Sequence, residues 1–190
     1  MDIEGSCFKQ AEMRRLMLTN GQQAWLSDQS LSFFAQLVNK HASQTKCFVF
    51  SPLLFGVVQR DLKVGHDTST SRWITKDLHK SGLLKLEGLA GTRLLIFPIR
   101  LDTAAHWVLC FVDCEEEQSM VIDPIHTDIS TKEYREICEN VIEFLRQMKP
   151  LRLPKKFKYP DTNSYPFPQQ KDGVNCGVYV CVFILNLVFF

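Results

Sequence analysis

Leu31, Phe34, Ala35 and Val38 recur at helical spacing with polar residues between them, which predicts a helix over 28–39. Ser27 or Asp28 is available as its N-cap. Ser51-Pro52 opens a second helix, since proline tolerates the first helical position. Residues 67–72 (DTSTSR) read as a loop, and a short helix follows around Trp73 to His79. The period then changes. LLIFPIRL (94–101), HWVLCFVD (106–113) and SMVID (119–123) are short apolar runs bounded by turn-like stretches, which predicts three strands. Both alternating faces of the second run are apolar, so that strand is central and covered on both sides. Pro98 marks the first run as an edge or bulged strand, and EEEQ suits an exposed hairpin loop. Ser130 and Glu133 form a capping box, followed by one apolar stripe of Tyr134, Ile137, Val141, Phe144, Leu145 and Met148. Residues 149–168 are rich in proline and lysine and read as an extended connector. From Cys176 onward the apolar run reads as a buried helix, although its valines and phenylalanines also allow a strand. The layout is α+β, a small sheet packed with helices.

Composition narrows this picture without redirecting it. A chain of 190 residues is most simply one domain, and 45% hydrophobic with 23% charged residues is ordinary for a globular protein. With 22 basic against 21 acidic residues there is no field to favour nucleic acid or an anionic membrane. The N-terminus has no apolar core of a secretion signal, and seven cysteines is an odd number for a disulfide framework. An intracellular, reducing setting in nucleus or cytoplasm is expected, with free thiols. The run from Val178 to Phe190 holds 13 residues with only Asn186 polar, short of the ~20 that span a bilayer. The chain stops inside that run, so a C-terminal truncation is expected.

Candidate chemistry gathers at the ends of elements. A cysteine nucleophile needs a base, a group to orient the base, and donors for an oxyanion. His106 opens the central strand, and Asp123 closes its neighbour just before Pro124. If the two strands pair as a hairpin, an aspartate there can hold the imidazole in the useful tautomer. Cys176 lies where the last helix begins, and unsatisfied amides at a helix N-terminus favour a thiolate. Gly173 and Gly177 would let backbone approach the sulfur, and Gln169 and Gln170 are uncharged donors just upstream. Cys181, amid valines, reads as a small buried hydrophobe. Cys110 and Cys114 resemble a ligand pair, but no second pair stands at zinc spacing, so neither metal nor cofactor is expected.

Four separated pieces, WLSD (25–28), HW (106–107), VIDP (121–124) and QQKDGVNCGVYVC (169–181), resemble the protease family that acts on ubiquitin-like modifiers such as SUMO. The separations of 17 residues from His106 to Asp123 and 53 from Asp123 to Cys176 are similar to it as well. The resemblance implies a papain-like α+β core over residues 24–190, preceded by an extension of residues 1–23. It implies a thiol protease cutting after the Gly-Gly end of a modifier, from precursors or lysine conjugates; a monomer is expected. His106 would be the base, Asp123 its orienter, Cys176 the nucleophile and Gln170 the oxyanion-hole donor. Trp25 and Trp107 would roof a tunnel too narrow for side chains, with Asp28 beside them on the substrate side. The alternative is a modifier-binding module of the same fold that has lost activity. Asn175 stands where many members carry aspartate, and Ser27 where asparagine is more usual.

Overall fold

Every residue from His106 to Asp113 is buried, as a strand covered on both faces must be. The structure is a computed structural model that describes residues 2–3, 6–7, 25–42, 45–56, 89, 91–101, 106–125, 132–146, 153–160 and 167–190. The expected loop at 67–72, the helix around Trp73, Ser130 of the capping box and Met148 lie outside these residues. A short antiparallel pairing of β1 (Asp2–Ile3) with β2 (Ser6–Cys7) stands at the start of the chain. The main sheet has the order β3-β4-β5-β6: β3 (Cys47–Val49), β4 (Leu94–Leu101), β5 (His106–Asp113) and β6 (Gln118–Ile122). β3 runs parallel to β4; the other pairings are antiparallel. The three helices with both ends described are α1 (Asp28–His41), α2 (Lys132–Arg146) and α3 (Cys176–Phe189), and residues 52–56 are also helical.

Alternation along the strands builds two cores. Trp107, Leu109 and Phe111 of β5 face α1 and α3, packing with Leu31, Val38, Cys176, Val180 and Phe183. Val108, Cys110 and Val112 face the other way, onto Tyr134, Ile137, Val141 and Leu145 of α2. Ser27 proves to be the α1 cap, its hydroxyl accepting from the Ser30 N–H at 3.1 Å.

Two expectations change. β4 is not an edge strand, because β3 covers its first half, and its register against β5 is one-to-one with no bulge. Proline is tolerated for a local reason. The Ile96 carbonyl accepts from Phe50 N–H, so residues 96 and 98 turn their backbone groups toward β3, which has ended before Pro98 is reached. No ladder bond is lost. The second change is in α3, whose inner side is buried but whose Val178, Val182, Leu185 and Phe189 are exposed along one stripe. The connector also does more than span a gap: Lys158 N–H donates to Glu117 O and Ser119 N–H to Lys158 O, covering part of the outer edge of β6. No described helix is long and apolar enough to cross a membrane.

Candidate active site

Three elements deliver the reactive groups. Cys176 is the first residue of α3, after Asn175 as N-cap. The Asn175 side chain does not cap the helix; its Nδ2 donates to Asp172 Oδ2 at 2.9 Å. Asp172 Oδ1 accepts from the Val174 and Asn175 N–H groups, both at 2.9 Å, so one carboxylate shapes the turn that presents the cysteine. His106 begins β5, and Asp123 follows the last residue of β6, whose Ile122 pairs with Leu109. The hairpin therefore brings imidazole and carboxylate to one end of the sheet.

They meet there. His106 Nε2 lies 2.8 Å from Asp123 Oδ1, with both side chains buried. Cys176 Sγ is a hydrogen-bonding neighbour of the same ring. With Nε2 committed to the carboxylate, Nδ1 is the ring nitrogen that serves the sulfur. Burial opposes an imidazolium, but the bonds to Asp123 and Cys176 outweigh it and lift the His106 pKa to about 9. Burial likewise opposes the Asp123 charge, and donors from His106, Tyr134 and the Ile125 N–H overcome it, holding the carboxyl well below the usual range. Burial pushes the Cys176 thiol up, yet His106 and the Trp107 and Gly177 amides draw it below an ordinary cysteine. Both shifts run toward a thiolate beside an imidazolium.

Among the other described thiols none has a histidine partner, although the buried Cys138 is drawn down by its hydrogen bond with Cys110. Burial, reinforced by Asp113 and Glu115, pushes Cys114 up to about 11, and burial alone takes Cys181 to about 12. Among the described residues no group of three or more histidine, cysteine, aspartate or glutamate side chains is placed to hold a metal ion.

Around the reactive groups the expected residues are arranged unevenly. Trp107 is 2% exposed, and its indole Nε1–H donates to the Leu26 carbonyl at 2.9 Å; Trp25, next to Leu26, is 40% exposed. Asp28, in the first turn of α1, lies 3.7 Å from Arg100 Nη1. Gln170 is buried and tied to the site's far side, its N–H donating to Pro124 O at 2.7 Å. Its Nε2 donates to Asp172 O at 2.5 Å and to Asp172 Oδ1 at 3.1 Å. The oxygen of the same amide is buried with no hydrogen-bond partner among the described residues.

Of the two glycines, Gly173 has open space where a side chain would go. Gly177 does not: an added Cβ would lie 2.9 Å from Leu26 Cβ and 3.2 Å from Trp107 Cδ1. Alanine helps a helix interior by up to ~1 kcal/mol over glycine, yet here overpacking should dominate. Gly177→Ala is expected to destabilise the fold by about 1–3 kcal/mol, read as a lower denaturation midpoint; an unchanged midpoint would refute the close packing of Leu26 and Trp107.

Three contributors escaped the sequence reading. Asp172 was legible as the first residue of an Asp-Gly turn. Leu26 contributes a carbonyl, which no side-chain pattern reveals. Tyr134 stood in the α2 stripe as an apolar residue, but its hydroxyl donates to Asp123 Oδ2 at 2.5 Å. A tyrosine at a buried helical position needs a partner for its hydroxyl, and that was the signal available.

Buried cysteine at a helix start, histidine at a strand start and carboxylate at the neighbouring strand's end, on a small sheet between helices, define a papain-like α+β protein. Residues 24–189 match the Ulp1 protease family, C-terminal catalytic domain, and the chain belongs to that family. Solved structures with the same fold include SUMO protease Ulp1 with its catalytic cysteine oxidised to a sulfinic acid, at 18% identity and a TM-score of 0.64, covering 90% of this chain and 71% of that one. The C-terminal Ulp1 protease domain in complex with Smt3, the yeast ortholog of SUMO, is similar at 17% identity and a TM-score of 0.65, covering 90% and 71%. The Ulp1-like SUMO protease catalytic domain of Chaetomium thermophilum is similar at 16% identity and a TM-score of 0.59, covering 87% and 62%.

Proposed function

We propose that this chain hydrolyses the bond after the C-terminal Gly-Gly of a SUMO-type modifier, in precursors and in lysine conjugates. The observation that carries the reading is the buried Cys176 thiol hydrogen-bonded to His106, whose Nε2 is held at 2.8 Å by Asp123. The Cys176 thiolate attacks the glycyl carbonyl and forms a carbon–sulfur bond. His106 gives its proton to the leaving amine as the carbon–nitrogen bond breaks. Water, deprotonated by His106, then releases the modifier carboxylate and the thiolate. Backbone amides at the start of α3 and Gln170 Nε2 receive the oxyanion, for which the Gln170 amide must turn from Asp172. Trp25 and Trp107 flank the tail, Asp28 lies on the same substrate side, and exclusion of side chains between the indoles makes Gly-Gly selection steric.

A modifier carrying a C-terminal vinyl sulfone tests this. Peptide mapping is expected to find the adduct on Cys176 and not on Cys114 or Cys181, whose thiols stay protonated at neutral pH. Labelling should persist below pH 9, the ordinary cysteine value, and weaken as pH falls further and the thiolate takes a proton. A folded chain in which Cys176 stays unlabelled would remove the proposal.

A further inference from the structure

The hydroxyl of Tyr134 reaches the site from the opposite core. Cys176 packs in the core beneath α1 and α3, whereas the Tyr134 ring packs with Ile137, Val141 and Leu145 on the α2 face. The two cores touch the same carboxylate. Asp123 Oδ1 accepts from His106 Nε2 and from the Ile125 N–H at 2.7 Å, and Oδ2 accepts from the Tyr134 hydroxyl.

We infer that Tyr134 is a positioning residue of the proposed protease, fixing Asp123 so that Asp123 can hold His106. The inference rests on the reading above for its chemistry and on geometry for its substance. A carboxylate held at one oxygen can turn about its Cβ–Cγ bond; held at both, it cannot. Packing alone would be met by phenylalanine, so the hydroxyl is what needs explaining. Burial, Asp123 and the adjacent Glu133 all push the phenol above its ordinary value, so it remains a donor wherever the thiolate–imidazolium pair exists. Among the described residues, the titratable groups that act on this carboxylate include His106 from β5, with Cys176 of α3 behind it, and Tyr134 from α2, beside Glu133.

The test is Tyr134→Phe, alone and with Asp123→Asn. Loss of a hydrogen bond to a charged group predicts a kcat on a fluorogenic Gly-Gly modifier substrate lower by roughly tenfold or more, with KM unchanged. The two limbs of the pH–rate profile should move inward, because a loosened carboxylate supports imidazolium and thiolate less well. With Asp123→Asn already present, Tyr134→Phe should add less than about twofold. An equal loss in both backgrounds, or a folded variant with unchanged kcat and limbs, overturns the inference.

If the wild-type chain cleaves no Gly-Gly substrate, the protease proposal falls and the rate of Cys176 alkylation by iodoacetamide against pH decides the Tyr134 question. Tyr134→Phe should move that titration upward, and no movement refutes the coupling. Should the variant not fold, NMR of the wild-type chain decides. A slowly exchanging Tyr134 hydroxyl proton is expected, and its absence overturns the inference.

Discussion

Replacing Cys176 with alanine is expected to lower hydrolysis of a Gly-Gly modifier substrate by on the order of 10⁴–10⁶-fold, the loss seen when a covalent nucleophile is removed. Modifier affinity should stay within severalfold, because the side chain is small, buried and directed at His106 rather than at a broad contact surface. Among the described cysteines, only Cys176 has a hydrogen bond from a histidine. Cys181 lies on the same helix but burial pushes it to about 12, and Cys114, at about 11, sits at the opposite end of β5 from His106. Steady-state turnover, paired with fluorescence anisotropy of a labelled modifier, checks both halves. Turnover within tenfold of wild type would move the nucleophile elsewhere in the chain.

That expectation begins from sequence, and the reason lies in how local the signals are. The α2 stripe, the apolar run inside β5 and the start of α3 each depend on residues within one element, so periodicity reveals them. Harder cases depend on partners distant in sequence. β3 is three residues long and gains its place only by parallel pairing with β4, 47 positions on, so no local pattern marks it. Pro98 is harmless only because β3 ends before reaching it, a fact about the neighbour rather than the proline. The same division runs through the site. His106, Asp123 and Cys176 could be picked out because each sits at an element boundary inside a short motif. The bond from Gln170 to Asp172, the Leu26 carbonyl beneath Trp107 and the reach of Tyr134 are tertiary outcomes. The outward stripe of α3 is hidden in the sequence for a related reason: a helix apolar all round gives no clue to which side the sheet will cover.

Removing the Asp123 carboxylate altogether should cost both stability and activity. Its side chain is completely buried and accepts from His106, Ile125 and Tyr134, so Asp123→Ala leaves three buried donors to find new partners. Breaking a buried charged pair from one side typically costs about 3–5 kcal/mol, a large share of the roughly 5–15 kcal/mol that holds a domain folded. The sign of the pH dependence follows from the depressed carboxyl. Its contribution is fully present above the unfolded value of 3.8 and disappears as pH falls through the lower folded value. The stability gap between wild type and Asp123→Ala should therefore be wide at neutral pH and close only in strong acid. Asp123→Asn separates shape from charge. The Ile125 N–H requires an acceptor at Oδ1, which selects the amide orientation that still offers His106 an oxygen, while the amide NH₂ faces the Tyr134 hydroxyl. Geometry survives and charge does not. The asparagine variant should fold nearly as well as wild type, but its imidazolium loses its counter-ion, so the basic limb of kcat/KM falls from about 9 toward the ordinary histidine value of 6.5. Chemical denaturation of both variants, with pH–rate profiles of the asparagine form, distinguishes these effects. A basic limb that stays near 9 would mean that Asp123 is not what charges His106.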